Sequence, residues 1–237
     1  MVTLPPNWVN ADALEHVLRS TPVSPHDAAS TVFCFPPGCR VMIDSAVRLL
    51  SLINQLDLCT RRVRLEFEDG ETGVMGYLNR VGFFDELSRN VEVMPLRPAV
   101  SGADTHLDGY AALQVYLRGD SLQVAVSDSG RGIMQTLRPA LKTEYPTLAQ
   151  LSDTELLVEV FRQGLSRHGT DRGCGLKGSA AKAMKYHAKL DVRLPKTRVL
   201  LTPGEGGYRP ATAYRHENLP LIWGTHICFT FQLDLAP

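Results

Sequence analysis

Hydrophobic and polar positions in the first part of the chain change their period several times, and each change marks an element. Apolar residues at helical spacing predict helices over residues 10–20, 40–56 and 73–87. Alternation of apolar and polar residues predicts strands over residues 31–35 and 61–69, and the second strand ends in an Asp-Gly turn. This order predicts a small β-α-β-α segment at the N-terminus.

The second part of the chain begins with two strands and continues with helices. Alternating residues predict a hairpin over 110–128, and the stretch 134–169 reads as helical in pieces. We expect breaks at Pro139 and Pro146, because proline lacks the N–H that an inner helical turn requires. Another helix is predicted over residues 179–190.

Three more strands are predicted toward the C-terminus. They cover residues 190–195, 198–204 and 223–235. Two stretches rich in glycine, proline and polar residues, 91–109 and 204–220, are predicted to be loops. The chain is therefore expected to mix helices and strands throughout.

Candidate chemistry begins where the strand over residues 122–128 ends. Asp128 comes directly after alternating apolar residues and is followed by Gly130, Gly132 and Ile133. A carboxylate at a strand end can accept a hydrogen bond from an exocyclic amine, and glycines let the backbone approach a ligand closely. This combination indicates an adenine-binding position.

A second glycine cluster precedes the helix predicted over residues 179–190. Its backbone N–H groups lie at a predicted helix N-terminus, where anions such as phosphates bind. Its basic residues can neutralise phosphate charge. The residues of this cluster are Arg172, Gly173, Gly175, Leu176, Lys177 and Gly178.

The two clusters, in this order, resemble the glycine boxes of the GHKL ATPases, the family of gyrase, the heat-shock chaperone ATPases, histidine kinases and MutL. The family's DxGxG box is matched by Asp128, Gly130 and Gly132, its GxGL box by Gly173, Gly175 and Leu176, and its late Gly-Thr by Gly224 and Thr225. The resemblance covers residues 110–237 and is to the bacterial stand-alone type. It implies that Asp128 binds the adenine amine and that Thr225 supports the base through water.

The same resemblance implies a fold and a division of the chain. The fold is an α/β protein of the Bergerat type, an α+β two-layer sandwich whose mixed sheet carries helices on one face. Residues 1–95 form the preceding β-α-β-α segment, used for packing or partner docking, and residues 96–237 form the ATP-binding domain. ATP and ADP are the implied ligands, Mg²⁺ the implied metal, and a protein the implied partner.

One part of the family pattern is missing from its expected place. The family carries an Asn for Mg²⁺, and often a Glu that activates water, on a helix just before the hairpin, but residues 91–109 predict a loop. The nearest substitute is Glu86 with Asn90, which would share a helix face at i,i+4 spacing. Glu144 is a second candidate base. The sequence is therefore compatible with two functions. The protein is either an ATPase or protein kinase, or a nucleotide-sensing module that does not hydrolyse ATP.

Composition and the absence of other motifs argue against nucleic-acid binding, a membrane segment and other nucleotide-binding folds. Lysine plus arginine and aspartate plus glutamate number 25 each, so nothing predicts binding to nucleic acid. No apolar run of about twenty residues and no secretory signal is found, which predicts a cytoplasmic protein without a membrane segment. Gly173, Gly175 and Gly178 also satisfy GxGxxG, but no strand precedes them, which argues against a dinucleotide fold, and no Walker pattern occurs.

Overall fold

The computed structural model describes residues 1–21, 23, 30–59, 61–97, 109–116, 120–166 and 174–233 of the 237-residue chain, without the side chains of residues 109–116, 174 and 212–215. The chain forms two compact units. Unit 1 comprises Met1–Ala112, Val126–Ser129 and Leu219–Trp223, and unit 2 comprises Leu113–Ala125, Gly130–Asn218 and Gly224–Pro237.

Unit 1 is built around a parallel sheet in the strand order β1-β3-β5-β6. Its elements up to residue 94 are β1 (Val2–Thr3), β2 (Trp8–Val9), α1 (Ala11–Ser20), β3 (Ser30–Phe35), β4 (Arg40–Val41), α2 (Ile43–Leu58), β5 (Arg62–Phe67), a 3-10 turn (Gly70–Thr72), α3 (Val74–Arg80), α4 (Phe83–Glu86) and β6 (Glu92–Met94). The predicted helix over 10–20 and the predicted strands over 31–35 and 61–69 are confirmed. The helix predicted over 40–56 forms as α2, but Arg40 and Val41 belong to β4.

Helix α2 is the most deeply buried helix of unit 1. Its apolar residues at helical spacing, Ala46, Leu49, Leu50, Ile53 and Leu56, are all buried. Because most of its other positions are buried as well, its polar side chains must find partners inside the protein.

The helix predicted over residues 73–87 is two helices. Helix α3 ends at Arg80, and Gly82 adopts a φ of +76°, which lies outside the helical region and is readily adopted only by glycine. The loop predicted over residues 91–109 also requires correction, because β6 forms there and pairs Val93 with Leu65 of β5. Residues 98–108 of that stretch lie outside the described residues.

The second sheet has six strands in the order β11-β10-β9-β12-β8-β7. The elements from residue 109 onward are β7 (Gly109–Tyr116), β8 (Ser121–Asp128), α5 (Ile133–Glu144), α6 (Pro146–Ala149), α7 (Asp153–Gln163), α8 (Cys174–Lys185), β9 (Lys189–Arg193), β10 (Arg198–Gly204), β11 (Gly207–His216) and β12 (His226–Gln232). Strands β9, β10, β11 and β12 are joined by antiparallel pairing.

The core of unit 2 lies where helices α5, α7 and α8 pack on this sheet. Leu137 of α5, Leu157 of α7 and Ala183 of α8 join Val192 and Ile227 of the sheet in one buried cluster. With mixed helices and strands and both parallel and antiparallel sheets, the predicted α/β two-layer fold class is confirmed.

The helix predicted over residues 179–190 is displaced, because α8 ends at Lys185 and Lys189 already belongs to β9. Two further predictions for unit 2 are wrong. The loop predicted over residues 204–220 contains β11, which forms a hairpin with β10 because Gly206 takes a φ of +78° at the turn between Gly204 and Gly207. The predicted break at Pro139 does not occur, since α5 continues through this exposed position as far as Glu144. The break at Pro146 is confirmed, because α6 starts there.

None of the helices in the described part of the chain combines the length and apolar character needed to cross a membrane.

Candidate functional site

Asp128, the predicted adenine anchor, is the last residue of β8 and is half-buried. The neighbouring residue Ser129 belongs, like Asp128, to unit 1, where its Oγ lies 2.9 Å from Oγ of Ser51 on α2. Either hydroxyl can donate in this pair. The end of the strand that carries the predicted anchor is therefore attached to α2 within unit 1.

The backbone conformation and the close neighbours of Gly132, the second glycine of the first box, require a glycine at this position. Its φ is +79° and its ψ is 156°, a backbone region open almost only to glycine. A Cβ here would lie 2.9 Å from the carbonyl oxygen of Gly224 and 3.2 Å from the ring of Pro195. The close approach that the pattern predicts is thus made by the protein's own backbone in unit 2.

Thr225 meets Ile133, the residue that follows the first box, in unit 2. The backbone N–H of Ile133 donates a hydrogen bond of 2.9 Å to Oγ1 of Thr225, which is buried. Ile133 opens α5, and the preceding Gly132 has no side chain with which to cap the helix. Thr225 therefore supplies the cap from the segment before β12. Gly130 and Arg131, which precede these residues, are exposed.

The second box lies on a helix that starts earlier than predicted. Helix α8 begins at Cys174, so Gly175 and Gly178 are inside it, and a Cβ at either position would meet no atom within 4 Å. Leu176 packs against the core of unit 2. The first-turn N–H groups of α8 have no partner four residues back in the helix, as the predicted phosphate role requires. Arg172 and Gly173 lie outside the described residues.

Lys177 lines a groove formed by α7, α8 and the β10–β11 turn. The groove has a volume of about 280 Å³, and its wall includes Phe161, Met184 and Tyr208. The Tyr208 hydroxyl donates to the carbonyl oxygen of Ala188 at 2.9 Å, and burial raises the pKa of Tyr208 to about 12. Lys177 therefore borders a partly apolar groove as well as the first turn of α8.

The substitute for the missing family helix does not have the predicted geometry. Helix α4 ends at Glu86, and Asn90 lies in the turn that follows, where its Nδ2 donates to Asp57 at 3.2 Å. The expectation of a shared helix face is wrong. One carboxylate oxygen of Glu86 is buried and lacks a hydrogen-bond partner among the described residues. Glu144, the other candidate base, is exposed at the end of α5.

Sequence reasoning missed Gln55, a buried residue of α2. Its Nε2 donates to the carbonyl oxygen of Trp223 at 2.9 Å and to Oγ of Ser51 at 2.8 Å, and its Oε1 accepts from the Trp223 N–H at 2.8 Å. All of these residues belong to unit 1. The signal available in the sequence was the row of polar residues at helical spacing, Arg48, Ser51 and Gln55, in a helix that is otherwise largely apolar.

A comparison with known protein families and with curated proteins found no match to this chain.

Proposed function

We propose that this protein binds adenine nucleotides, with ATP as the principal ligand, in the manner of the GHKL family that its motifs resemble. The observation that carries the proposal is the hydrogen bond to Thr225 of the late Gly-Thr motif from Ile133, the residue directly after the first glycine box. These motifs are far apart in the sequence, and a nucleotide site of this type needs them side by side.

In this proposal each group of residues has one task. Asp128 accepts a hydrogen bond from the adenine amine, and Thr225 supports the base through water. Gly173 and the N-terminal residues of α8 as far as Gly178 bind phosphate through their backbone N–H groups and the positive end of the helix. Arg172 and Lys177 neutralise phosphate charge.

The structure offers little support for hydrolysis by this chain alone. Mg²⁺ would neutralise phosphate charge in an ATPase of this type, but Glu86 and Asn90, the residues expected to serve it, do not share a helix. In the part of the chain that the structure describes, no group of three or more His, Cys, Asp or Glu side chains is placed so that it could hold a metal ion. We therefore assign Mg²⁺ to no residue of this chain.

Two functions remain, and one observation favours the second. The first is a regulatory ATPase or protein kinase of the GHKL type. The second is a nucleotide-sensing module whose nucleotide-bound form is read by a partner protein. The engagement of Asn90 with Asp57 favours the second, because this amide is already used in a structural contact. A cytoplasmic location, where ATP is abundant, fits either function.

Titration calorimetry with ADP and a non-hydrolysable ATP analogue, with and without Mg²⁺, tests the proposal. Wild-type protein should bind both nucleotides, and Asp128→Ala should bind at least about tenfold more weakly, the value of one charge-assisted hydrogen bond. Glu92→Ala, which removes an exposed carboxylate from β6, is the matched control and should bind like wild type. Absence of binding by folded wild-type protein would overturn the proposal, and measured ATP turnover would select the first function.

A further inference from the structure

A buried line of hydrogen bonds on α2 reaches two separate chain segments. At one end, the amide of Gln55 makes two hydrogen bonds to the backbone of Trp223, one donated and one accepted. At the other end, Ser51 meets the hydroxyl of Ser129 at 2.9 Å. The Gln55 Nε2 also donates to Ser51, which makes the line continuous from Trp223 to Ser129.

The geometry of the Gln55 amide is fully specified. The Trp223 N–H can only donate, so it must face Oε1, and both hydrogens of Nε2 are then used by the Trp223 carbonyl and by Ser51. Gln55 is 5% exposed and Ser51 is 0% exposed. A buried and fully satisfied amide fixes the position of its partners, because any shift leaves polar groups unpaired away from water.

Both ends of this line adjoin residues of the predicted nucleotide site. Ser129 follows Asp128 directly, and Trp223 comes two residues before Thr225. We propose that Gln55, with Ser51, is a positioning residue for nucleotide binding: it holds Trp223 and, through Ser51, Ser129, although it belongs to neither glycine box. This inference rests on the proposed function, and it makes nucleotide affinity depend on a helix of the N-terminal segment.

Helix α2 itself supplies a matched control. Asn54, next to Gln55, uses its amide in the same way on a different segment: Nδ2 donates to the carbonyl oxygen of Glu86 at 2.9 Å, and Oδ1 accepts from the Ser88 N–H at 2.9 Å. Removing either amide deletes a two-bond backbone contact of α2 within unit 1. The Asn54 contact reaches Glu86, whose expected role beside Mg²⁺ lacks the predicted geometry, whereas the Gln55 contact reaches Trp223, two residues before Thr225.

The test compares Gln55→Met with Asn54→Leu in the full chain, using ADP affinity and amide hydrogen exchange of Trp223. Gln55→Met should bind ADP about tenfold more weakly, and exchange at Trp223 should become faster. Both variants should lower the unfolding temperature by a similar amount. Asn54→Leu, however, should leave ADP affinity and the hydrogen exchange of Trp223 unchanged. Ser51→Ala, a smaller change for use if Gln55→Met does not fold, should weaken ADP binding roughly threefold.

The outcomes separate this inference from the proposed function. If wild type binds ADP and both Gln55→Met and Ser51→Ala bind it equally well, the positioning role is wrong while nucleotide binding stands. An equal loss of affinity in Asn54→Leu would also overturn it, because the effect would then be one of general stability. If wild type binds no nucleotide, the proposed function fails. Independently of nucleotide binding, unchanged hydrogen exchange of Trp223 in Gln55→Met would show that Gln55 does not hold Trp223 in place.

Discussion

Thr225 caps a helix to which it is distant in sequence: its Oγ1 accepts the N–H of Ile133, the first residue of α5, at 2.9 Å. A helix usually obtains this acceptor from its own N-cap side chain, but the N-cap here is Gly132. The glycine is required because its ψ of 156° and φ of +79° exclude other residues. A threonine from the segment before β12 thus replaces the side chain that the N-cap lacks.

This cap leads to a prediction for Thr225. Thr225→Val keeps the shape of the side chain but removes the acceptor, so unfolding should require about 1 kcal/mol less free energy than in wild type. Thr225→Ser keeps the hydroxyl and should lose less. Urea unfolding followed by circular dichroism measures both variants, and equal losses in valine and serine would contradict the capping role.

Glycines of the two boxes should respond differently to alanine. Gly132→Ala should destabilise unit 2 by about 1–3 kcal/mol, because alanine is strained at this backbone conformation and its Cβ meets the Gly224 carbonyl. Gly178→Ala lies within α8 in open space and should stabilise by roughly 0.5–1 kcal/mol. Thermal unfolding of the two variants decides the point, and destabilisation by Gly178→Ala would show that α8 is not helical at this position.

Calorimetry with the Gly178→Ala variant adds a separate reading of the phosphate role. A variant that is more stable yet binds ADP more weakly would place phosphate close to the α8 backbone, since folding alone leaves room for the methyl group. A variant with unchanged ADP affinity would remove Gly178 from the proposed site.

Arg198 and Asp191 form a buried ion pair, and removing only one of the two charges should strongly lower the free energy of unfolding. Nε of Arg198 donates to both carboxylate oxygens at 2.9 and 3.0 Å, and the two side chains are 8% and 11% exposed. Arg198→Met leaves a buried carboxylate without this partner and should destabilise by about 3–5 kcal/mol. The double variant Arg198→Met/Asp191→Leu should recover a large part of that loss in urea unfolding. A double variant as unstable as the single one would show that packing, not charge, dominates.

The buried thiol of Cys39 predicts a loss of stability in alkali. Burial, with the nearby Cys34 and Asp69 as smaller causes, raises the pKa of Cys39 from 9.0 to about 12. Because the folded protein favours the protonated thiol, this stabilisation is complete below pH 9 and falls as the pH rises from 9 toward 12, by about 1.4 kcal/mol per unit. Other groups titrate in this range, so the comparison is with Cys39→Ala. The free energy of unfolding of wild type should fall more steeply between pH 9 and 10.5 than that of the variant; parallel slopes would rule out the shift.

Much of the fold follows from local patterns. Helix α2 and strand β5 form where the spacing of their apolar residues predicts them, because that spacing places the apolar side chains on one face of the element. The errors arise where tertiary contacts outweigh local preference. Residues 207–216 look like a loop by their glycines and prolines, yet they form β11 because β10 offers an edge to pair with.

For the candidate site too, some features could be predicted from the sequence and others could not. Asp128 at a strand end and the two glycine boxes were recognisable in the sequence as residue types in a spacing that suits nucleotides. The partners of those residues were not: Ile133 and Thr225 are 92 residues apart, and Gln55 and Trp223 are 168 apart. Local periodicity reports which face of an element is buried, but the order of strands in a sheet decides which distant backbone groups lie within hydrogen-bond distance. For that physical reason, the candidate residues were visible in the chain, whereas the contacts of α2 with Ser129 and Trp223 emerged only in the folded protein.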